Sequence, residues 1–142
     1  MDDLLTSFRV TSSGLSAQRL RLNIIAENLA NAQTTRTPEG GPYKRKDPVF
    51  SAKSFDEMLS REQMAATTGV AVERIHVDER PPRMQYDPSH PDANAQGYVA
   101  MPNVDPTAEM VNMMAASRAY ESNVTVLNAS KAMAMKALEI GR

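Results

Sequence analysis

Apolar residues carry helical spacing at both ends of the chain and lose it in between. Over about residues 4–32, Phe8, Leu15, Leu22 and Leu29 recur every seven positions, with Leu4, Leu5, Ile25 and Ala32 on or beside the same stripe. Thr11, Ser12, Gln18 and Arg19 interrupt it. This predicts an amphipathic helix of about 40 Å with one narrow apolar seam. From Pro106 onward, Met110, Met113, Ser117, Tyr120, Val124, Leu127, Ala134 and Leu138 keep a three-four spacing, broken at Lys131. Asp105 is placed to cap this second helix, Pro106 suits its first position, and Glu109 brings negative charge to its opening turns. Gly141 can end it, with Lys136 favourable in the late turns. One antiparallel pairing would bury these seams only in part, so further helices from other copies are implied. The small residues Ala115, Ala116, Ala129, Ser130 and Ala132 would admit a close neighbour, and an ordinary bundle with short side chains at its surface fits the periodicity equally.

Between the helices the composition changes. Eight of the nine prolines and four of the six glycines fall in residues 33–104, which excludes long helices there. Residues 37–42 read as a turn or mobile loop, 43–51 as a short strand, and 69–78 as the best strand candidate. In that last tract the apolar alternation changes phase at Glu73 and Arg74, predicting a bulge or bend. Residues 80–83 interrupt the strand, 86–92 are dense in turn formers, and 97–101 suit a last short strand. Residues 54–66, with Phe55, Met58, Leu59 and Met64, fit helix, strand or disordered insertion equally. The resulting expectation is a mainly α fold with a small β-rich insert and long terminal helices pairing in a coiled-coil-like assembly. It divides into residues 1–35, 36–104 and 105–142.

Composition narrows the function. The 142 residues leave room for one ordinary domain. A net charge of -1 offers no electrostatic footprint for nucleic acid or an acidic membrane. With aromatics at 5% and no Trp, a core must rest on Leu, Ile, Val, Met and Ala; the ten Met side chains suit either a helical core or a surface that repacks against partners. The absence of Cys removes disulfides, thiolate metal sites and cysteine nucleophiles. Residues 1–7 lack the basic start and apolar stretch of a secretory signal, and no run approaches the length of a transmembrane helix.

Candidate chemistry is sparse. His76 and His90, the only histidines, lack metal-ligand spacing, and the acids at 78–79 and 87–92 lack the pattern of a calcium loop. Gly40-Gly41 has no downstream Gly-Lys-Ser/Thr, and no nucleophile-elbow motif occurs. Neither a cofactor nor a catalytic residue is expected. Lys44-Arg45-Lys46 beside Tyr43 could grip an anion, although a solvated strand face is the simpler reading. Asn23, Asn28 and Asn31 are harder to explain, because Asn is a mediocre residue inside a helix. Capping of the helix end accounts for Asn31 better than for the other two. Asn112, Asn123 and Asn128 punctuate the final helix similarly, and polar ties between packed helices can set register.

These residues also carry a resemblance. Ser13-Gly14-Leu15-Ser16-Ala17-Gln18-Arg19-Leu20 followed by residues 23–35, with Asn28-Leu29-Ala30-Asn31 at their centre, resembles the N-terminal signature of flagellar rod, hook and related axial proteins. Glu27 stands where that signature usually has a second Asn. Residues 97–104, 109–113 and 116–124 resemble the short proximal-rod members of the family. The resemblance implies a structural, non-enzymatic rod subunit in the periplasm that transmits torque from motor to hook. It further implies export from the cytoplasm through the flagellar type III apparatus without signal cleavage, and neighbours among other copies and the rod proteins FlgB, FlgF, FlgG and FliE. The expected assembly residues are Phe8, Leu15, Leu22, Asn28, Leu29 and Asn31 in the first helix, and Met113, Tyr120, Val124 and Leu127 in the last. A cytoplasmic helical adaptor or secretion chaperone is the alternative, and an enzyme assembled from unconnected residues a third.

Overall fold

The structure, a computed structural model, describes residues 2–54 and 68–140. Helix α1 runs over Asp2–Ala30 and helix α2 over Pro106–Ile140. Between them lie strands β1 (Lys46–Ser54), β2 (Thr68–Val77), β3 (Arg83–Tyr86) and β4 (Tyr98–Met101). They form two separate antiparallel sheets of two strands, β1 with β2 and β3 with β4. The proposed ending at Gly141 and residues 55–66 of the ambiguous segment lie outside the described residues.

Local chemistry accounts for the boundaries. Asp105 caps α2: its Oδ1 accepts from the Thr107 amide at 2.9 Å, ahead of an opening turn that starts on Pro106. At the end of α1, the Asn31 side-chain amide donates to the Glu27 carbonyl at 2.9 Å, satisfying a terminal acceptor, while its Oδ1 accepts from the Thr34 hydroxyl. The chain then turns through Gly40 and Gly41, both at positive φ, and closes with the Tyr43 amide donating to the Thr34 carbonyl. In the β1–β2 ladder Val49 faces Arg74 and Phe50 faces Val72, so Glu73 is the extra residue of a bulge at the predicted phase change.

The expected fold class needs correction. The described residues form two helices with two small antiparallel sheets, an α+β arrangement, rather than a mainly α coiled-coil-like pair with an insert. Strand β3 is hidden by the prolines and turn formers on either side of it: Met84 and Tyr86 alternate with Arg83 and Gln85, but over only four residues, and all four side chains are exposed. Helix α1, moreover, packs against α2 and also against β1 and β2. The hairpin runs back along it, so that the Val70 amide donates to the Ser13 hydroxyl. Because two different elements cover α1, its buried side is not the heptad stripe. Ala17, Ile24 and Asn28 are buried, whereas Phe8, Leu15, Leu22 and Leu29, a third of a turn or more away, are half-buried; Ile25, beside that stripe, is buried as well. The core gathers where the ends of α1 and β4 meet the start of α2, around Ala32, Tyr43, Val99 and Val104.

Candidate functional site

At that meeting point lies a knot of polar side chains shut away from water. Asn28 has 0% exposure and Glu109 1%, burial that charged and amide groups tolerate only when fully partnered. Each hydrogen-bonding position of the Asn28 amide is used. Its Nδ2 donates to the Lys46 carbonyl at 2.8 Å and to Glu109 Oε2 at 3.2 Å. Its Oδ1 accepts from the Lys46 amide at 2.9 Å and from the Tyr43 hydroxyl at 3.0 Å. The side chain thus pairs with both backbone groups of Lys46 as a neighbouring strand would. The second Glu109 oxygen, Oε1, accepts from Arg45 Nε and lies 2.8 Å from the other end of the guanidinium fork. Arg45 also bonds Asp47. Outside the knot, Lys46 pairs with Glu27 and sits 5.7 Å from the centre of the Tyr43 ring. Burial, with the charges of Glu27 and Glu109 beside it, pushes the Tyr43 hydroxyl up to about 12.

Elsewhere the helices meet along short side chains. A Cβ added at Gly14 would lie 3.3 Å from Asn123 Nδ2, so the backbones approach closely there. On α2 the residues turned inward, Glu109, Ala116, Asn123 and Ser130, recur every seven positions, and all but half-buried Asn123 are buried. Apolar side chains remain in water on its other faces: Met110, Val111 and Met114 near the start are 53–57% exposed, as are Met133 and Met135 further on. Among the described residues, no group of three or more metal-binding side chains occurs and no helix is long and apolar enough to cross a membrane. At the open end of the β1–β2 hairpin Arg80 pairs with Asp78. Hydrogen bonds from Arg80 hold the Asp78 carboxyl at about 2.

Comparison with known proteins gives these features a setting. Residues 8–36 match the model of the flagella basal body rod protein family, and residues 95–140 match that of the flagellar basal body rod FlgEFG protein C-terminal region. The chain is 46% identical to the flagellar basal-body rod protein FlgC of Bacillus subtilis, over 96% of this chain and 97% of that one. With the FlgC of Borreliella burgdorferi it shares 43% over 96% and 97%, and with that of Escherichia coli O157:H7 45% over 98% of each. The chain belongs to the FlgC family of flagellar basal-body rod proteins. As a FlgC-family member it is a structural subunit of the basal-body rod and not an enzyme, which replaces the adaptor, chaperone and enzyme readings.

Within this FlgC-family fold the expected assembly residues take different places. Phe8, Leu15, Leu22 and Leu29 lie together along α1, half-buried. Met113, Tyr120, Val124 and Leu127 lie on α2 with the same partial burial. Asn31 caps α1, and Asn28 is enclosed with all its bonds spent within the chain. Sequence reasoning missed Tyr43, Arg45, Lys46 and Glu109 as companions of Asn28. The tract at 44–46 does hold an anion, but the anion is the chain's own Glu109 and the face is not wholly solvated: Tyr43 is buried, and the Arg45 side chain is only 19% exposed. The one available signal was Asn28 itself, an amide inside a helix with no local reason to be there.

Proposed function

We propose that this rod subunit builds its part of the flagellum by repeating one non-closing set of contacts through α1 and α2, so that subunits climb a helix and the rod carries torque from motor to hook. The observation that carries this is the apolar surface the single chain leaves uncovered: the half-buried stripe of α1 together with the exposed Val126 and Met133 of α2, seven residues apart on one face and 46% and 57% exposed. A heterologous contact of that kind extends into a tube instead of closing on itself. Phe8, Leu15, Leu22, Leu29, Met113, Tyr120, Val124 and Leu127 supply cohesion at its edges in this reading. The neighbours are further copies and the rod proteins FlgB, FlgF, FlgG and FliE. The rod lies in the periplasm, and the subunit reaches it through the type III export apparatus without loss of a signal segment.

The test uses side chains that the fold itself does not need. A Val126→Ser/Met133→Ser chain is expected to keep the circular dichroism of the unaltered protein yet to be depleted from washed hook-basal bodies, quantified by mass spectrometry against a motor-only preparation. Normal incorporation into mechanically stable rods would remove α2 from the assembly surface.

A further inference from the structure

The helix pair raises a question of register. Its seam on α2 is a heptad series of mostly small residues, Ala116, Asn123 and Ser130, with Asn123 set against Gly14 of α1. A slide of two turns, about 10 Å, would replace one short side chain by another, so packing along the seam discriminates weakly between registers. The junction does not share that tolerance. Sliding α2 would carry Glu109 away from the Arg45 guanidinium and from Asn28 Nδ2, either into the seam of small residues or out of the molecule. Asn28 would keep its pairing with Lys46 but lose its tie to α2, and the buried groups left behind would have no water to replace their partners. Buried polar groups of this sort add little net stability over apolar ones, and fixing a register is their best attested use.

We infer that Asn28, Tyr43, Arg45 and Glu109 form a register latch inside the single subunit, positioning α2 against α1 and the β1–β2 hairpin before any neighbour is met. Arg45 and Tyr43 lie just ahead of β1, so the same four side chains that hold α2 also hold the strand, whose partner β2 is tied to α1 farther along through Val70 and Ser13. The latch acts within one chain and does not depend on which neighbours the rod supplies. Its function is geometric: each subunit presents its outer faces at one fixed offset, which a repeating contact requires.

The chain has no Cys, so an introduced pair provides its only thiols. Gly14→Cys is combined in turn with Asn123→Cys, which reports the observed register, and with Ala116→Cys or Ser130→Cys, which report two-turn slides and carry Asn123→Ser as well, so that the contact of a new Cβ at position 14 with the Asn123 amide is absent from all three. Full-length monomer is then treated with a short bifunctional thiol reagent. The 14–123 pair is expected to cross-link faster than either slid pair by about tenfold or more. Adding Asn28→Leu/Glu109→Met, which keeps the volume apolar, should collapse that preference to near parity while the helical circular dichroism persists. Undiminished preference in this variant would show that the seam chooses its own register and would overturn the latch, as would equal rates in the unaltered knot. Should the double variant lose its helices, Arg45→Met, which removes only the guanidinium from Glu109, is read in the same way: a weakened preference supports the latch and an unchanged one overturns it.

Discussion

Asn28 behaves differently from the other asparagines of the two helices. Asn31 performs the capping task typical of its residue type, and Asn23 is exposed. Asn28 is the only one of the three to bond a strand and the other helix together. Its partner Tyr43 offers a direct readout of the knot. The Tyr43 hydroxyl is held at about 12, above the ordinary value of 10.0, so the unfolded chain releases this proton first as pH rises. The stabilisation is therefore complete below about pH 10 and is lost as pH climbs through about 12, amounting to about 2–3 kcal/mol. A Tyr43→Phe chain lacks this proton and should lose less stability over that interval. Urea unfolding of both chains at stepped alkaline pH checks it: the stability gap must narrow as pH rises, and a constant gap would mean that the phenol ionises alike in both states.

At the scale of elements, the β3–β4 hairpin depends on a single glycine. Gly97 has φ +81°, and a Cβ there would lie 2.9 Å from the Tyr86 ring and 3.2 Å from Pro88. Tyr86 in turn meets Tyr98 edge to face, with centroids 5.3 Å apart. Gly97→Ala is expected to destabilise the chain by about 1–3 kcal/mol through the left-handed backbone alone, and to swing Tyr86 away from Tyr98. Loss of ring-current shifts on the Tyr98 protons, alongside a lower thermal midpoint, is the signature; an unchanged Tyr98 spectrum would mean that the loop accommodates the methyl group. Helix α2, by contrast, begins where Asp105 and Pro106 say it should, because capping is a property of four or five consecutive residues.

For the whole molecule, burial is unevenly shared. Ile24, Ile25, Tyr43, Val99, Val104 and Glu109 crowd one end of the helix pair, while farther out the buried side chains shrink to Thr11, Ala17 and Ser130. Short side chains remove little apolar area, so stability should decline from the junction toward the opposite end of the pair. Hydrogen exchange on verified monomer is expected to show protection strongest over residues 24–32 and 104–116 and weakest toward the first turns of α1 and the last of α2. Equal protection along both helices would contradict this.

The sequence by itself determined the two long helices, the capped start of α2, the β2 strand with its bulge at Glu73, and the family signature around Asn28 to Asn31. Each depends on residues a few positions apart, where spacing and side-chain type act directly on the backbone. Tertiary structure decided the rest. A heptad stripe shows that one side of a helix is apolar, but not that a hairpin will cover a different side, and so Leu15 and Leu22 stay half-buried while Ile24 and Ile25 are enclosed. Strand β3 is set by its pairing with β4, for the alternation of Met84 and Tyr86 with Arg83 and Gln85 spans only four residues between turn formers. Glu109 looked like a charge for a helix terminus, and it became a buried anion only because Arg45, 64 residues earlier, was brought against it. Whether a charge is solvated or enclosed depends on what the fold places opposite it, and that partner lies beyond the reach of local pattern.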